Sequence, residues 1–335
     1  MVKIALDAMG GDNAPAAVVQ GALSVAAEDM RIVLVGDETA LKQELSAHNP
    51  SPYVDIVHAP DIVGMDEEPA RAVRVKKESS IVVAAKLVGT GQADALVSAG
   101  STGAQLAASI FHIGRIRGIR RPAICTVYPT PKGYKLLTDA GANPEVKPED
   151  LYQFALMGSI YAQRFLGIEH PRVGLINNGS EAKKGTEVVR QAYQLLSDEQ
   201  RVDFVGNIEG RDVPAGNTDV MVCDGFVGNI LLKLTEGLAT TLLGMIREKL
   251  TANWVRKLGA LMNRQAFREL KKQMDYSEVG GAPLLGVRGV SMICHGSSNE
   301  VAIASALKAA ARAAASGYVT EIEAQLGTRT DEKNG

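Results

Sequence analysis

Short apolar runs alternate with longer helical stretches along most of this chain, and this alternation limits the possible folds. The runs that predict strands are residues 2–6, 32–35, 54–57, 95–97, 172–176, 202–205 and 220–223. They are apolar throughout rather than at every second position, which indicates strands buried on both faces. Strands that alternate with helices predict a mostly parallel sheet inside a three-layer α/β/α, Rossmann-like sandwich.

The helices predicted between these strands include one over residues 14–27 and a long one over 69–88. The alternation stops between 236 and 280, where the chain is almost entirely helical, and a long Ala-rich helix follows over 299–325. We find no Gly/Ser linker and no internal repeat. We therefore interpret residues 1–335 as a single α/β domain with a protruding helical excursion at 236–280.

Composition argues against several classes of protein. The chain is 46% apolar and 22% charged, which is too apolar for a disordered protein. Aromatic residues make up 4% and the net charge is −2, so a stacking platform or a globally basic surface for nucleic acid is not expected. No run of 18 apolar residues predicts a membrane span, and Asp7 comes too early for a secretory signal. Three widely spaced cysteines predict reduced thiols in the cytoplasm.

In open α/β sheets, ligands bind where strands end, so the loops that follow strands are the candidate site. The first such loop is residues 7–15 (DAMGGDNAP). Its paired glycines, Gly10 and Gly11, let backbone N–H groups approach an anion at the start of a helix. The alternative is a tight turn in which Asp12 or Asn13 only caps that helix.

Two further loops carry groups that suit an anion of the size of phosphate. Residues 98–104 (SAGSTGA) supply N–H groups and hydroxyls, unless they only cap the next helix. Residues 177–186 (NNGSEAKKGT) combine two amides, a glycine, a hydroxyl and two lysines. Lys184 offers a point charge to phosphate or to a developing oxyanion, while a solvated charged turn is the alternative.

Residues 224–229 (DGFVGN) and 295–299 (HGSSN) complete the set of loops. Asn229 is an amide donor suited to a carbonyl oxygen, or simply part of a helix N-terminal turn. His295 is either a general base or a packed imidazole. We expect all five loops at the same end of one sheet. The residues alone predict a phosphate-handling enzyme with no metal, no cofactor and no covalent nucleophile, since the complete dinucleotide, nucleotide and metal-ligand motifs are missing.

Together with residues 139–143 (DAGAN), these loops resemble the signature motifs of the bacterial phosphate acyltransferases, the acyl carrier protein:phosphate transacylases of phospholipid synthesis. The motifs occur in the family's order over nearly the whole chain. The resemblance implies that inorganic phosphate attacks the thioester of a long-chain acyl group on acyl carrier protein. The product is acyl phosphate, the substrate of a downstream glycerol-3-phosphate acyltransferase. It also implies a homodimer, a peripheral membrane location, and an architecture similar to isocitrate and isopropylmalate dehydrogenases and to phosphotransacetylases.

The resemblance also suggests roles for individual residues. Phosphate is already an adequate nucleophile, so the enzyme has to align it and to stabilise the tetrahedral oxyanion. We expect Lys184 and Asn229 to be the catalytic cation and amide donor, with His295 as a further catalytic candidate. The candidates for binding substrate or phosphate are Asp7, Gly10, Gly11, Gly100, Ser101, Thr102, Gly103, Asn143, Asn178, Gly179, Asp224, Gly225 and Gly228.

The helical excursion contains a basic amphipathic segment. Residues 247–272 hold eight Lys or Arg and two Glu, a local net charge of +6. Trp254, Leu258 and Leu261 fall near one face of a helix there. This pattern predicts binding to an anionic membrane surface. Acidic acyl carrier protein or the partner subunit is the alternative occupant of the same segment.

Three other functions are compatible with parts of the sequence. A short-chain phosphotransacetylase that uses coenzyme A would need the same loops, but the basic amphipathic segment favours a long acyl chain. A non-catalytic membrane scaffold would not need five polar, glycine-bearing loops. An NAD oxidoreductase is suggested only by the alternation of strands and helices, and the dinucleotide fingerprint is missing.

Overall fold

The computed structural model describes residues 1–274 and 280–327, without the side chains of 270–274. Residues 275–279 of the predicted excursion and the tail 328–335 lie outside the described part of the chain. The strands within it are β1 (Val2–Asp7), β2 (Met30–Gly36), β3 (Val54–His58), β4 (Ala95–Ser98), β5 (Ala123–Thr130), β6 (Gly133–Thr138), β7 (Arg172–Asn177), β8 (Asp203–Glu209), β9 (Val220–Val222), β10 (Ala282–Leu285) and β11 (Val290–Ile293).

Helices flank these strands. They are α1 (Ala16–Leu23), α2 (Glu38–Ser46), α3 (Pro69–Val75), α4 (Ser80–Gly89), α5 (Thr102–Ala108), α6 (Pro148–Tyr161), α7 (Glu187–Ser197), α8 (Gly225–Thr251), α9 (Trp254–Met262), α10 (Arg264–Met274), α11 (Glu300–Ser316) and α12 (Tyr318–Gly327). Single π-helical turns extend α5 over Ser109–Ile113 and α6 over Ala162–Leu166, and a 3-10 turn covers Val213–Ala215.

The described strands form one sheet in the order β3-β2-β1-β4-β11-β10-β5-β6-β9-β7-β8. The first five are parallel, and so are the last four. Between them, β10 is antiparallel to both β11 and β5, and β5 is antiparallel to β6. Three antiparallel steps reverse the direction of the second half relative to the first.

The predicted α/β class and mostly parallel sheet are confirmed, but the expectation that all five loops share one end of the sheet is wrong. Because the two halves run in opposite directions, their carboxyl ends face each other. Short pairings connect them: Ala282 pairs with Ile293 at the end of β11, and Leu284 pairs with Ile124 at the start of β5. Ile124 in turn bonds to the segment that follows β6: its carbonyl oxygen accepts from Ala140 N, and its own N–H donates to the Asp139 carboxylate. The loops after β1, β4, β6, β9 and β11 therefore converge at the middle of the sheet, whereas no described residue of the loop after β7 lines the cleft that forms there.

Alternate residues of the central strands pack on opposite layers of helices. Ile4 and Leu6 of β1 belong to one apolar cluster with Leu307 of α11. Ala5, between them, belongs to a second cluster with Val82 of α4. All of these side chains are fully buried, as continuous apolar strands require. The three-layer arrangement predicted from the sequence is thus confirmed.

Two of the predicted long helices are interrupted. The helix predicted over 69–88 is wrong as a single element, because the backbone at Lys76 leaves the helical region and a new helix, α4, begins after Ser79. The helix predicted over 299–325 breaks at Gly317, whose φ of 71° ends α11 before α12 begins. The sequence reasoning also missed the β5–β6 hairpin, which has no helix between its strands.

The excursion is helical, as predicted, and α8 dominates it. This helix has 27 residues, about 40 Å at 1.5 Å per residue. Its first turn is built into the sheet through the buried Gly225 and Gly228, and most of the rest is exposed. By length and composition alone, α8 is also long and apolar enough to cross a bilayer.

Gly228 is predicted to be essential for folding. An added Cβ would lie 1.8 Å from the carbonyl oxygen of Asp139, whereas at Gly237 of the same helix it would meet nothing within 4 Å. Urea denaturation followed by circular dichroism should show that Gly228→Ala lowers the free energy of unfolding by about 1–3 kcal/mol or more. Gly237→Ala should leave it unchanged or raise it by up to about 1 kcal/mol. Equal effects of the two substitutions would contradict this packing.

Candidate active site

A cleft of ≈ 970 Å³ opens where the carboxyl ends of the two half-sheets meet. Gly100 and Thr102 come from the loop after β4, and His295 comes from the loop after β11. Gly141 follows β6, and Asn229 lies on the first turns of α8. The volume falls in the upper range of small-molecule sites. Four of the predicted site residues are therefore brought together: Gly100, Thr102, Asn229 and His295.

One wall of the cleft is extended and carries an apolar stripe. From α8 it receives Leu232, Ala239 and Leu243, which share a helical face, and beside them the Lys233–Glu236 ion pair and Thr240. Leu232 and Leu243 are eleven positions apart, about 16 Å along the helix axis. The opposite side adds Ile124, Val127, Ala282 and Ile293. The cleft thus combines a polar end made of loops with an apolar wall long enough for an extended alkyl chain.

Asp7 organises the loop after β1 from inside the protein. Its carboxylate accepts a hydrogen bond of 2.7 Å from Ser98 Oγ, and Ser98 Oγ accepts one of 3.0 Å from the Gly100 N–H. Burial raises the pKa of the Asp7 carboxyl, against hydrogen bonds from Ser80 and Ser98 that lower it. A Cβ on Gly10 would lie 2.6 Å from this carboxylate. The Asp7 carboxylate therefore shapes the two loops from behind.

A second set of contacts holds the turn that carries His295. The Asn13 side-chain amide donates to the carbonyl oxygens of Ser297 and Ser298, at 3.3 and 3.1 Å. Asp12 N donates to the Gly296 carbonyl oxygen at 2.8 Å. The alternative that Asp12 or Asn13 caps the first helix is wrong, because Pro15 occupies the cap position and no side chain caps α1.

The geometry of this turn assigns a tautomer to His295. The Ser297 backbone N–H donates to His295 Nδ1 at 3.3 Å, and Ser297 Oγ lies 2.8 Å from the same nitrogen. A backbone N–H can only donate, so Nδ1 is the acceptor and the neutral imidazole carries its proton on Nε2. His295 is thereby prepared to present a donor N–H.

Asp139 holds the loop after β6 from inside the protein, as Asp7 holds the loop after β1. Its carboxylate accepts hydrogen bonds from the backbone N–H groups of Ile124, Gly141, Ala142 and Asn143, at 2.6–3.1 Å, and from the Asn143 side chain at 2.9 Å. Burial raises the pKa of this carboxyl, against these hydrogen bonds. Asn143 is itself buried, and its carbonyl oxygen accepts from Gly225 N at 2.7 Å. Asn143 therefore stabilises the junction with α8.

Lys184 and Asn229 follow strands that are neighbours in the sheet, β7 and β9. Asn229 is set by the start of α8, where the Asp224 carboxylate accepts from Val227 N at 2.8 Å. Lys184 is exposed, and its carbonyl oxygen accepts from the Asn177 side chain at 3.0 Å. Among the described residues, the lining of the cleft includes Asn229 but not Lys184.

The remaining predicted binding residues have mostly structural contacts. Ser101 caps α5 by accepting from Ala104 N, and an added Cβ on Gly103 would lie 2.7 Å from Pro69. Gly11 adopts a φ of 104°, and a Cβ on Gly225 would lie 2.7 Å from the Asn143 backbone. In the loop after β7, Asn178 is exposed, and a Cβ on Gly179 would lie 3.0 Å from Lys184 Cγ. Most of these glycines allow two segments of backbone to approach closely.

Cys294 lines the cleft but is not set up as a nucleophile. Burial raises the pKa of its thiol to about 12, so at neutral pH the thiol is protonated. In the part of the chain that the structure describes, no group of three or more His, Cys, Asp or Glu side chains is placed to hold a metal ion.

Sequence reasoning missed two contributors to the site, the Asn13 amide and the apolar stripe of α8, and it gave no role to Asp139 although it singled out the motif 139–143. The spacing of Leu232, Ala239 and Leu243 in the sequence could have revealed the face of α8. No local pattern marks the role of Asn13, because its partner carbonyl oxygens are 284 and 285 positions away.

Comparisons with known proteins identify relatives of this chain. A family model described as "Fatty acid synthesis protein" matches residues 2–321. A protein named phosphate acyltransferase from Desulfitobacterium hafniense strain Y51 is 55% identical over 328 residues, 97% of this chain and 98% of the relative. One of the same name from Moorella thermoacetica is 52% identical over 322 residues, covering 96% and 95%.

Solved structures support the architecture. EutD phosphotransacetylase from Staphylococcus aureus superposes with a TM-score of 0.62 at 17% identity, covering 93% of this chain and 94% of its own. The 4-hydroxythreonine-4-phosphate dehydrogenase of Klebsiella pneumoniae gives 0.52 at 13% identity, covering 94% and 98%. At these identities the likeness shows the fold alone, and it confirms the predicted similarity to phosphotransacetylases and to dehydrogenases of this architecture.

Loss of the Asn13 amide is predicted to loosen the His295 turn. Asn13→Ala removes two hydrogen bonds, each worth about 1 kcal/mol, or about fivefold in a local opening equilibrium. Hydrogen–deuterium exchange read by mass spectrometry should therefore speed up by about fivefold or more over residues 295–299. Exchange in β2 should not change, and Gln92→Ala, far from this turn, serves as the control. Unaltered exchange over 295–299 would show that Asn13 does not hold the turn.

Proposed function

Because this chain belongs to the family of phosphate acyltransferases, enzymes of fatty acid and phospholipid synthesis, we propose that it transfers a fatty acyl group from acyl carrier protein to inorganic phosphate. The family is shown by relatives that are 52–55% identical over nearly the full chain. The observation that supports the substrate class is the cleft, in which glycine- and hydroxyl-bearing loops meet an apolar wall.

The proposed reaction is one acyl substitution. A phosphate oxygen attacks the carbonyl carbon of the thioester, and a tetrahedral oxyanion forms. The carbon–sulfur bond then breaks, and the carrier's thiolate takes up a proton to leave as the free thiol. No acyl-enzyme is needed, which agrees with the protonated Cys294. The loops around Gly100 and Thr102 bind the phosphate, and the alkyl chain lies along α8.

The residues that support this chemistry come from both half-sheets. Asn229 donates its amide to the oxyanion, and Lys184 is the proposed cation that neutralises the developing charge. Because Lys184 lies outside the cleft lining here, this role requires the exposed loop after β7 to bring it to the oxyanion. His295, with its proton on Nε2, donates to phosphate or to the leaving sulfur. The loops after β9 and β11 face each other across the cleft, so the two kinds of donor approach the substrate from different sides.

A short-chain phosphotransacetylase that uses coenzyme A remains the second candidate. The solved phosphotransacetylase shares only the fold, at 17% identity. An acetyl group would leave most of the 16 Å apolar wall on α8 without a ligand. The length of that wall favours a long acyl chain.

We also propose that two copies of the chain pair through α8. Ile230, Leu234, Leu238 and Leu242 recur every four residues on the outer face of the helix, each about half exposed. A stripe of this length on a single chain indicates a protein partner. A second copy offers the same stripe, as a twofold dimer requires.

We further propose that α9 contacts the membrane. Trp254, Leu258 and Leu261 point away from the body of the protein, and Trp254 is 77% exposed. Arg256 and Lys257 lie in the same helix. An apolar face flanked by cations suits the surface of an anionic bilayer. A cytoplasmic enzyme attached there would release acyl phosphate close to the glycerol-3-phosphate acyltransferase that uses it.

Lys184→Ala and Asn229→Ala should each lower turnover about 100-fold or more, the usual cost of removing one oxyanion donor. The assay combines purified protein, acyl carrier protein thioester and phosphate, and acyl phosphate is trapped with hydroxylamine. Lys183→Ala, next to Lys184 in the same loop, is the matched control and should stay within a few-fold of the unaltered protein. Near-normal rates in either folded variant would remove that residue from the mechanism, and an inactive unaltered protein would refute the proposed function.

Replacing Trp254, Leu258 and Leu261 with Ser should release the protein from anionic vesicles without changing turnover or oligomeric state. The apolar contribution scales with about 25 cal/mol per Å² buried, so three large side chains dominate it. Vesicle sedimentation measures membrane binding, and light scattering measures the oligomeric state. The control replaces Leu234 and Leu238 with Ser, which should break the dimer instead. Unchanged vesicle binding of the triple variant would place the membrane contact elsewhere.

A further inference from the structure

The surface beside the mouth of the cleft combines exposed cations with exposed apolar groups. We define the α3 face as Arg71, Arg74 and Val75 of α3 together with Lys77 and Phe111. Val75 is 71% exposed and Phe111 44%. The Arg74 guanidinium lies over the Phe111 ring, 5.0 Å from its centroid. Neither the reaction nor the membrane contact uses this face.

The α3 face is continuous with the cleft. Met65, which lines the cleft, is 60% exposed and lies against Gly296. Pro69, the first residue of α3, packs against Gly103 at the start of α5. Arg74 is five residues further along, about 8 Å of helix rise. A protein that rests on α3 can therefore reach the cleft past Met65.

The cations of this face form no ion pair within the described part of the chain. Across residues 1–274 and 280–327, no carboxylate forms an ion pair with Arg71, Arg74 or Lys77. Two neighbouring acids have partners, since Glu67 pairs with Lys76 at 2.6 Å and Glu68 accepts from Arg71 N at 2.9 Å as the cap of α3, while Asp66 and Glu78 are exposed. Three unpaired cations around exposed apolar side chains favour an acidic protein surface.

We propose that the α3 face docks the acidic carrier protein that brings the acyl thioester. This inference rests on the proposed function, because it takes the thioester to arrive tethered to such a protein. The tether has to enter the cleft, so the docking surface has to adjoin its mouth. The basic segment around α9 is less suited, since α8 runs eight residues, about 12 Å, past Leu243, its last residue in the cleft lining, before α9 begins.

The test reverses charge on the α3 face. The double variant Arg71→Glu, Arg74→Glu should raise the KM for acyl carrier protein thioester, and the Kd for fluorescently labelled carrier protein, at least tenfold. Both kcat at saturation and the KM for phosphate should stay within about twofold. The unaltered protein should lose affinity for the carrier as salt rises, and the variant should do so less. The control is Arg256→Glu, Lys257→Glu, which makes the same charge change on α9 and should leave the KM unaltered.

Several results would overturn the proposal. Unchanged KM and Kd in the α3 variant would do so, as would a tenfold rise in the α9 variant alone. A fall in kcat together with a rise in the KM for phosphate would show that these arginines act on the reacting groups. If Arg71→Glu, Arg74→Glu does not fold, the milder pair Arg71→Gln, Arg74→Gln replaces it, with an expected rise of a few-fold. Carrier binding without acyl phosphate formation would refute the proposed function while leaving the docking surface intact.

Discussion

The reversal of strand direction at the middle of the sheet is the constraint on which the rest of the structure depends. An all-parallel sheet would place every ligand-binding loop along one edge. Here β10, β5 and β6 introduce three antiparallel steps, and the carboxyl ends of the two halves meet. A cleft forms that neither half makes alone. The loops around Gly100 and His295 from one half then line the cleft together with Asn229 and α8 from the other.

Two buried carboxylates maintain that arrangement, one in each half. Asp7 fixes the loops after β1 and β4, and the Asp139 carboxylate accepts hydrogen bonds from the backbone N–H groups of the segment after β6. Burial removes each carboxylate from water, and several hydrogen bonds compensate for that desolvation cost. Removing those donors would leave a buried polar group without partners and would destabilise the fold. Glycines such as Gly10 and Gly228 then allow the neighbouring backbone to approach where no Cβ fits. Buried groups behind the cleft surface therefore fix the positions of the loops that line it.

The sequence was informative where the determinants are local. Apolar periodicity predicted the class of fold, and the loops around Gly100, Asn229 and His295, which the sequence singled out, line one cleft. The interruption at Lys76 was not visible, because that stretch has helical periodicity and the break depends on the pairing of Asp61 with Ser79. The reversal of the sheet was also hidden, since strand direction depends on which strands become neighbours. The contact of Asn13 with Ser297 joins opposite ends of the chain, and no local pattern encodes it.

The position of β11 in the sheet has a consequence for synthesis on the ribosome. This strand lies between β4 and β10, yet it comes from residues 290–293. Until those residues emerge, β4 has an open, apolar edge, the kind of edge that invites pairing with other chains. At 5–20 residues per second, roughly 10–40 s separate the appearance of β4 from that of its missing neighbour. The nascent chain therefore has to remain protected for that interval, and a chain truncated before β11 would carry a permanent site for aggregation.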